Sequence, residues 1–423
     1  MGVQNQVVFG LLIGMIFCAA CVSPGNTNRP AFLALCNLIQ LTEKEVTLPA
    51  FVNTPTDLEN DLIKLNMTTA EDNWYNLFPG NGESVWEQVK SEEKFKVFAG
   101  EEDTLWAQMY EKWEKAKKEL LAESAEEGPK EFARPPAGAR RTIARVKIQR
   151  MWRFYEDTEK KRSGLKEKLE AKKAEIEKAF QLARAGTETG SVTSESFNTA
   201  NRSTACGGKG ADATGKSLAN DLTCLCSATS IQYAQNVCTD GLPGQLWSTN
   251  DRGSERTDAY TAIKKVCDAE AVNDLKPTAH TIEKLLRNFT GLLGKGVAEG
   301  NIAPYVLGGN IVASGSCAGG YSAQICVNYR KSFLGEAEGI PWFKQLEKAA
   351  ELLEELDEEE KEAHALNARG ESLRDAAWVA YEEVAATELK NIAAGAGVRG
   401  GARIQRVFAT AHFTLLWALP LLH

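Results

Sequence analysis

The sequence predicts a mainly α fold: an elongated, coiled-coil-like antiparallel helical hairpin that carries a disulfide-stapled lobe of loops and short strands. Three observations predict it. Two long segments, 84–127 and 139–184, place apolar residues at helical spacing and are parted by a proline-rich break. Seven of the ten cysteines lie between Cys206 and Cys326, inside a stretch (186–335) rich in Gly, Ser, Thr and Asn. A third segment, 341–394, is charged, free of cysteine and again helical in composition.

The first element is a leader. Val7 to Phe17 is apolar or Gly, and small residues follow at Cys18, Ala19, Ala20 and Cys21. An apolar stretch ending in small residues is what export and cleavage require, so residues 1–21 read as a signal peptide. Cleavage after Cys21 leaves eight cysteines: Cys36, Cys206, Cys224, Cys226, Cys238, Cys267, Cys317 and Cys326. An even number in an exported chain reads as four disulfides, and eight cysteines allow 105 connectivities that spacing alone does not choose between. Zinc is the competing use of these residues. Cys224 and Cys226 are too close for a zinc knuckle, and only His280 and His364 lie in the processed chain, so no metal is expected. Three sequons offer N-glycosylation at Asn66, Asn201 and Asn288, with Asn201, in a polar loop, the favoured acceptor.

The hairpin comes next. Trp106, Met109, Trp113, Ala116 and Leu120 step by three and four along a segment otherwise coated with Lys and Glu, which is one apolar seam on a helix. Pro129, Pro135 and Pro136 stop it, because proline lacks a donor and disfavours helix before itself. The second arm repeats the seam at Leu165, Leu169, Lys172, Ile176, Ala179 and Ala183, with Lys172 laying its stem along it. Folding the arms back on each other takes both seams out of water. At 1.5 Å per residue, an arm of roughly 45 residues is a rod of about 67 Å.

Residues 186–335 are too rich in polar and small residues to fix themselves by apolar burial, so cross-links must limit the unfolded chain. Within them, 304–329 reads as short strands around glycine turns. The stretch GADATGKS, 210–217, fits the phosphate-loop pattern at Gly210, Gly215, Lys216 and Ser217. A working phosphate loop follows a buried strand. Here the preceding residues are polar and carry a sequon and a cysteine, so the segment reads as a surface loop leading into a short helix, with no nucleotide bound. The acidic run Glu354 to Glu362, backed by Leu353 and Leu356, reads as the solvated face of a third packed helix.

The chain closes with small residues (Ala393 to Gly397), a polar spacer (Val398 to Arg406) and an apolar tail (Val407 to Leu422). The tail is shorter than the roughly 20 residues that span a bilayer. Small residues, spacer and tail together form a glycolipid (GPI) anchor signal, with attachment at Gly395 or Ala394 and residues 396–423 removed. The mature ectodomain is then 22–395. The removed tail carries Arg399, Arg403 and Arg406 and no acid, so the net charge moves from −8 to −11. Such a surface has no electrostatic footprint for nucleic acid. No nucleophile is matched to a base, so the chain does not read as an enzyme, and no cofactor is implied.

The segment Cys206 to Cys238, CGGKGADATGKSLANDLTCLCSATSIQYAQNVC, resembles the cysteine cluster of B-type N-terminal domains of African trypanosome variant surface glycoproteins, and GKSLANDLTCLC carries most of the likeness. No cysteine follows Cys326, which resembles the members from Trypanosoma congolense or vivax that lack a cysteine-rich C-terminal domain. The resemblance implies a glycolipid-anchored coat on the outer leaflet of the plasma membrane. It implies a dense monolayer that hides other surface proteins from host antibodies, with expressed variants switched. It also implies a homo-oligomer, a dimer being the expected form. The alternative it leaves open is a glycolipid-anchored receptor that takes up a host macromolecule.

Overall fold

The computed structural model describes residues 27–48, 56–96, 103–125, 131–210, 214–249, 251, 254–272, 274–295, 304–309, 316–321, 324–334 and 339–395. The expected leader (1–21) and removed tail (396–423) lie outside these. The described chain is mainly α. Its longer helices are α1 (Arg29–Leu41), α2 (Thr56–Thr69), α3 (Asp103–Ala125), α4 (Ala139–Ala185), α5 (Leu218–Cys226), α6 (Glu255–Glu270), α7 (Ala279–Thr290) and α8 (Pro341–Gly395). Two two-stranded ladders accompany them. Ser227–Ala228 (β1) pairs in parallel with Gln245–Leu246 (β2), and Val306–Leu307 (β3) pairs antiparallel with Val327–Asn328 (β4). The chain forms two compact units: a lobe unit of residues 1–50 and 165–362, and a hairpin unit of 51–164 and 363–423.

The lobe unit is built around α1. Pro30 opens this helix, where its missing N–H costs nothing. The sequence RPAFLALCNLIQL is apolar nearly all round, and Phe32, Leu35, Cys36, Leu38 and Ile39 are fully buried. Such a helix has to be covered on every side; α5, α6 and α7 cover it. α7 is amphipathic, with Ile282, Leu285, Leu286 and Phe289 inward, and Thr278 caps it by accepting the N–H of Thr281 at 3.2 Å. The stretch of α4 from Leu165 onward runs antiparallel to the first part of α8. Glu175 pairs with Lys348, and Lys172 pairs with Glu355 and Glu359, each at 2.8 Å. Lys172 therefore crosses to acids of α8 while its seam neighbours Leu169 and Ile176 are buried.

The hairpin unit packs α2, α3, the first part of α4 and the last part of α8. The sequence suggests helix from Ser84, but α3 begins at Asp103. Among the described residues from Ser84 to α3 the helix is a single turn, Trp86–Val89. Aromatic packing accounts for the difference. Trp86, Phe95, Trp106 and Tyr110 form one cluster with ring centroids 5.4–5.9 Å apart, and Phe95 must fold back between Trp86 and Trp106 to join it. The α3 seam (Met109, Ala116, with Trp113) packs on Ile63 of α2 and Trp152 of α4. Trp152 follows the start of α4 by about as many residues as Trp113 precedes the end of α3, so the two helices run antiparallel across the proline break. α8 thus lies beside α4 in each unit, through Lys147–Glu383 in the hairpin unit and through Lys172 in the lobe unit, and α3 joins α4 in the hairpin unit.

Candidate functional site: the cross-linked hub at residues 202–238

α5, LANDLTCLC, is the helix of the sequence segment singled out above, and all nine of its residues are buried. A short helix without a solvent face has to satisfy both ends internally. At its N-terminus the Oγ of Ser217 accepts the N–H of Asn220 at 3.0 Å and donates to the carbonyl of Ser196 at 2.7 Å. At its C-terminus Arg202, fully buried, donates to the carbonyls of Cys224 (2.6 Å) and Ser227 (2.7 Å), and to that of Cys317 at 3.1 Å. An acid, Asp221, sits in the first turn and a cation at the last, which is the arrangement the helix dipole favours.

Asp221 is the centre of the hub. Its Oδ2 accepts from Tyr329 Oη at 2.8 Å and Trp342 Nε1 at 2.6 Å; its Oδ1 accepts from Asn220 Nδ2 at 2.8 Å and Thr214 Oγ1 at 3.4 Å. One side chain thereby ties α5, the residue after β4 and the start of α8. Burial pushes its carboxyl up to about 6, against the four donors, which pull it down. Burial likewise lowers Arg202, to about 9, and raises Tyr329 well above the ordinary phenol value. Asn28 forms a second tie. Its Nδ2 donates to the carbonyls of Leu225 and Ile325, both at 2.8 Å, and its Oδ1 accepts the N–H of Gly309 at 2.6 Å.

The cysteines pair as Cys36–Cys267, Cys206–Cys224, Cys226–Cys238 and Cys317–Cys326. Residues two apart on a helix point to opposite sides, so Cys224 reaches back to the turn holding Arg202 while Cys226 reaches forward to Cys238. Cys36–Cys267 joins α1 to α6.

The phosphate-loop look-alike is part of this hub. Thr214 and Ser217 are buried, which corrects the surface-loop reading. Gly215 has φ +85°, its carbonyl accepts the N–H of Trp342 at 3.1 Å, and a Cβ there would lie 2.5 Å from Ile340 Cγ2. Gly207 is equally constrained: φ is +85°, and a Cβ would fall 2.1 Å from the carbonyl oxygen of Asn328. The glycines serve close backbone approach, and the serine serves a helix cap. Residues 211–213 are outside the description.

The sequons differ in setting. Asn288 and Thr290 are both exposed on α7. Asn201 is half-buried and caps a turn, accepting the N–H of Thr204 at 3.2 Å. Asn66 is half-buried on α2, and the hydroxyl of Thr68 is turned inward to the carbonyl of Lys64 at 2.7 Å. α8 closes at Gly395, next to Ala394. Among the described residues no group of His, Cys, Asp and Glu could hold a metal ion, and no helix is long and apolar enough to cross a membrane. Sequence reasoning singled out the cysteines and the segment GKSLANDLTCLC, which holds Asp221. It missed Arg202, read only as the middle of a sequon, together with Asn28 and the two aromatic donors to Asp221.

Comparison with known proteins places the hub in a family. Residues 11–371 match the family described as the Trypanosomal VSG domain. Variant surface glycoprotein YnAT 1.1 of Trypanosoma congolense is 28% identical over 206 residues, 46% of this chain and 48% of that protein. ILTAT 1.23 of Trypanosoma brucei brucei is 25% identical over 374 residues, 83% of this chain and 66% of that protein. WRATAT B of Trypanosoma brucei rhodesiense is 33% identical over 133 residues, 30% of this chain and 27% of that protein. The chain thus spans about half or less of several relatives it matches and two thirds of another. With the match running from residue 11 to residue 371 across every cysteine of the hub, the chain belongs to the trypanosomal VSG domain family.

Proposed function

We propose that this chain is a glycolipid-anchored surface coat glycoprotein of a trypanosome, one of a set of variants that screens the cell from host antibody. The observation that carries this reading is the VSG-domain match over residues 11–371. The relatives' own designation as variant surface glycoproteins supports it. So does the character of the hub. Asp221 and the groups that donate to it, Asn220, Thr214, Tyr329 and Trp342, are spent on holding α5, its loop and the start of α8 together. A scaffold of this kind keeps its shape while outward residues change, which is what antigenic variation asks of a coat. The protein acts as a barrier and not as a catalyst.

In this reading residues 1–21 are the signal peptide, 22–395 the ectodomain and 396–423 the anchor signal. The lipid is attached at Gly395 or Ala394 and sits in the outer leaflet of the plasma membrane. Among the sequons, exposure favours Asn288 as the glycan acceptor over Asn201 and Asn66. Mass spectrometry of the C-terminal peptide, with a count of copies on the cell surface, tests the reading. A glycolipid remnant on Gly395 or Ala394 at coat-level abundance is the expected result; an intact tail ending at His423 rules it out.

A further inference from the structure

We propose that Asn81 is a site of self-catalysed modification: it closes an imide with Gly82, with Glu114 as the base, and water opens the imide to aspartate or isoaspartate. Asn81 is the one asparagine of the sequence that is followed by glycine. A glycine there leaves no Cβ to obstruct closure of the five-membered ring. Both residues are exposed in the hairpin unit, so water reaches the product ring. The Oδ1 of Asn81 accepts the N–H of Glu83 at 3.0 Å and the hydroxyl of Ser84 at 3.4 Å. A bond from this oxygen to the N–H two residues on is an Asx turn, which folds the side-chain carbonyl back over its own peptide. The same donors stabilise charge that develops on Oδ1 when Cγ is attacked.

The base comes from α3. Oε1 of Glu114 accepts the N–H of Asn81 at 2.9 Å and that of Gly82 at 3.1 Å. Glu114 is 1% exposed, and its Oε2 has no hydrogen-bond partner among the described residues. A buried carboxylate with an oxygen unspent calls for a role, and one within hydrogen-bond reach of the proton to be removed meets the geometric demand on a general base. The nitrogen of Gly82 attacks Cγ of Asn81 and its proton passes to Glu114. The new N–Cγ bond forms, the Cγ–Nδ2 bond breaks, and ammonia leaves with the proton that Glu114 returns. Water then adds at Cγ to give aspartate, or at the main-chain carbonyl to give isoaspartate; nothing is oxidised or reduced. Isoaspartate lengthens the main chain where the loop is pressed on α3. A Cβ on Gly80 would lie 2.6 Å from Leu121 Cδ1, and one on Gly82 2.6 Å from Lys118 Cδ. The lengthened loop therefore lifts off α3. None of this rests on the coat reading.

The test follows the folded mature chain at neutral pH in heavy-oxygen water, beside a synthetic peptide of residues 77–88. Digestion in ordinary water and mass spectrometry then count the label at position 81, and chromatography separates isoaspartate from aspartate. The expected result is conversion in the folded chain faster than in the peptide by about tenfold or more, the low end of what a positioned base supplies. Glu114→Gln keeps an acceptor for both N–H groups but removes the base, so it should slow conversion to the peptide's rate while circular dichroism stays unchanged. Two outcomes overturn the proposal. Conversion in the folded chain no faster than in the peptide would mean that the loop shields Asn81, and this comparison needs no variant. Fast conversion that is indifferent to Glu114→Gln would mean that Glu114 only holds the loop.

Discussion

Asp221 shows how one buried group can govern a lobe. Its carboxyl titrates near 6 in the folded chain, against an ordinary value of 3.8, because burial penalises the charged form more than four donors repay it. Between about pH 4 and 6 the folded state therefore holds a proton that the unfolded state has released. Stability from this group is greatest below that window and falls as pH rises through it, by about 3 kcal/mol in all. Asp72, on the hairpin unit, is held below its ordinary value by hydrogen bonds from Arg134 and Arg141, so its contribution has the opposite sign. The clean readout is thus the difference between the native chain and Asp221→Asn in chemical denaturation at pH 4, 5, 6 and 7. That difference should change by about 3 kcal/mol across the window; a constant difference would show that Asp221 does not titrate there. Arg202 poses the complementary case. Its three carbonyl acceptors carry only partial charge, and Arg202→Met leaves the last turn of α5 without its donors. Losing hydrogen bonds of this kind in a buried site should cost about 3–5 kcal/mol, measurable as a lowered denaturation midpoint.

At the scale of elements, the helices were legible in proportion to how regularly their seams repeat. Trp106 to Leu120 and Leu165 to Ala183 carry unbroken three-four spacing, and each lies in a helix of the structure. What spacing could not give is the partner of each seam. The two arms look equal in the sequence. In the structure α3 has 23 residues and α4 has 47, so the later seam is left for α8. The missing stretch before α3 was hidden because Trp86 and Phe95 fit a helical pattern as well as an aromatic cluster. In the hub, the cysteines are visible as sequence because cysteine is rare, whereas Asp221 is one of 57 acids until its burial is seen. Asn28, Tyr329 and Trp342 are remote in sequence from Asp221 or Leu225, so no local pattern announces them. Disulfide pairing was invisible because spacing does not choose among the connectivities that eight cysteines allow, and the pairing makes unequal predictions. Cys36–Cys267 closes 231 residues and Cys317–Cys326 only 9. Removing the first as a Ser–Ser pair should cost about 5 kcal/mol and the second about 3 kcal/mol, by loop entropy. Denaturation of the two double variants, after peptide mapping confirms the other bridges, measures the gap; equal losses would mean that loop length does not decide it.

At the scale of the whole molecule, the two units are stabilised by different means. All four disulfides lie in the lobe unit, and the described residues of the hairpin unit contain no cysteine. The hairpin unit relies on packed aromatics and on cations that close helix ends. Arg134 donates to the carbonyls of Met67, Thr68 and Ala70 at the end of α2, and Lys117 lies 4.2 Å from the ring centre of Tyr75 while donating to its carbonyl at 2.8 Å. Neither device responds to a reductant. α4 and α8 each contribute one stretch to each unit, so the units share helices without sharing their means of stabilisation. Reduction at neutral pH should therefore loosen one unit and spare the other. Limited proteolysis with and without dithiothreitol reads this directly. Under reduction, cuts should appear first within 186–335, where cross-links hold Gly- and Ser-rich loops, while 103–164 persists as a protected fragment. The order follows from local stability, since a protease samples the segments that open most cheaply. Simultaneous loss of both regions would mean that the units unfold together and that the cross-links stabilise the hairpin as well. Unchanged cleavage would mean that packing around Asp221 and Arg202 holds the lobe without its disulfides.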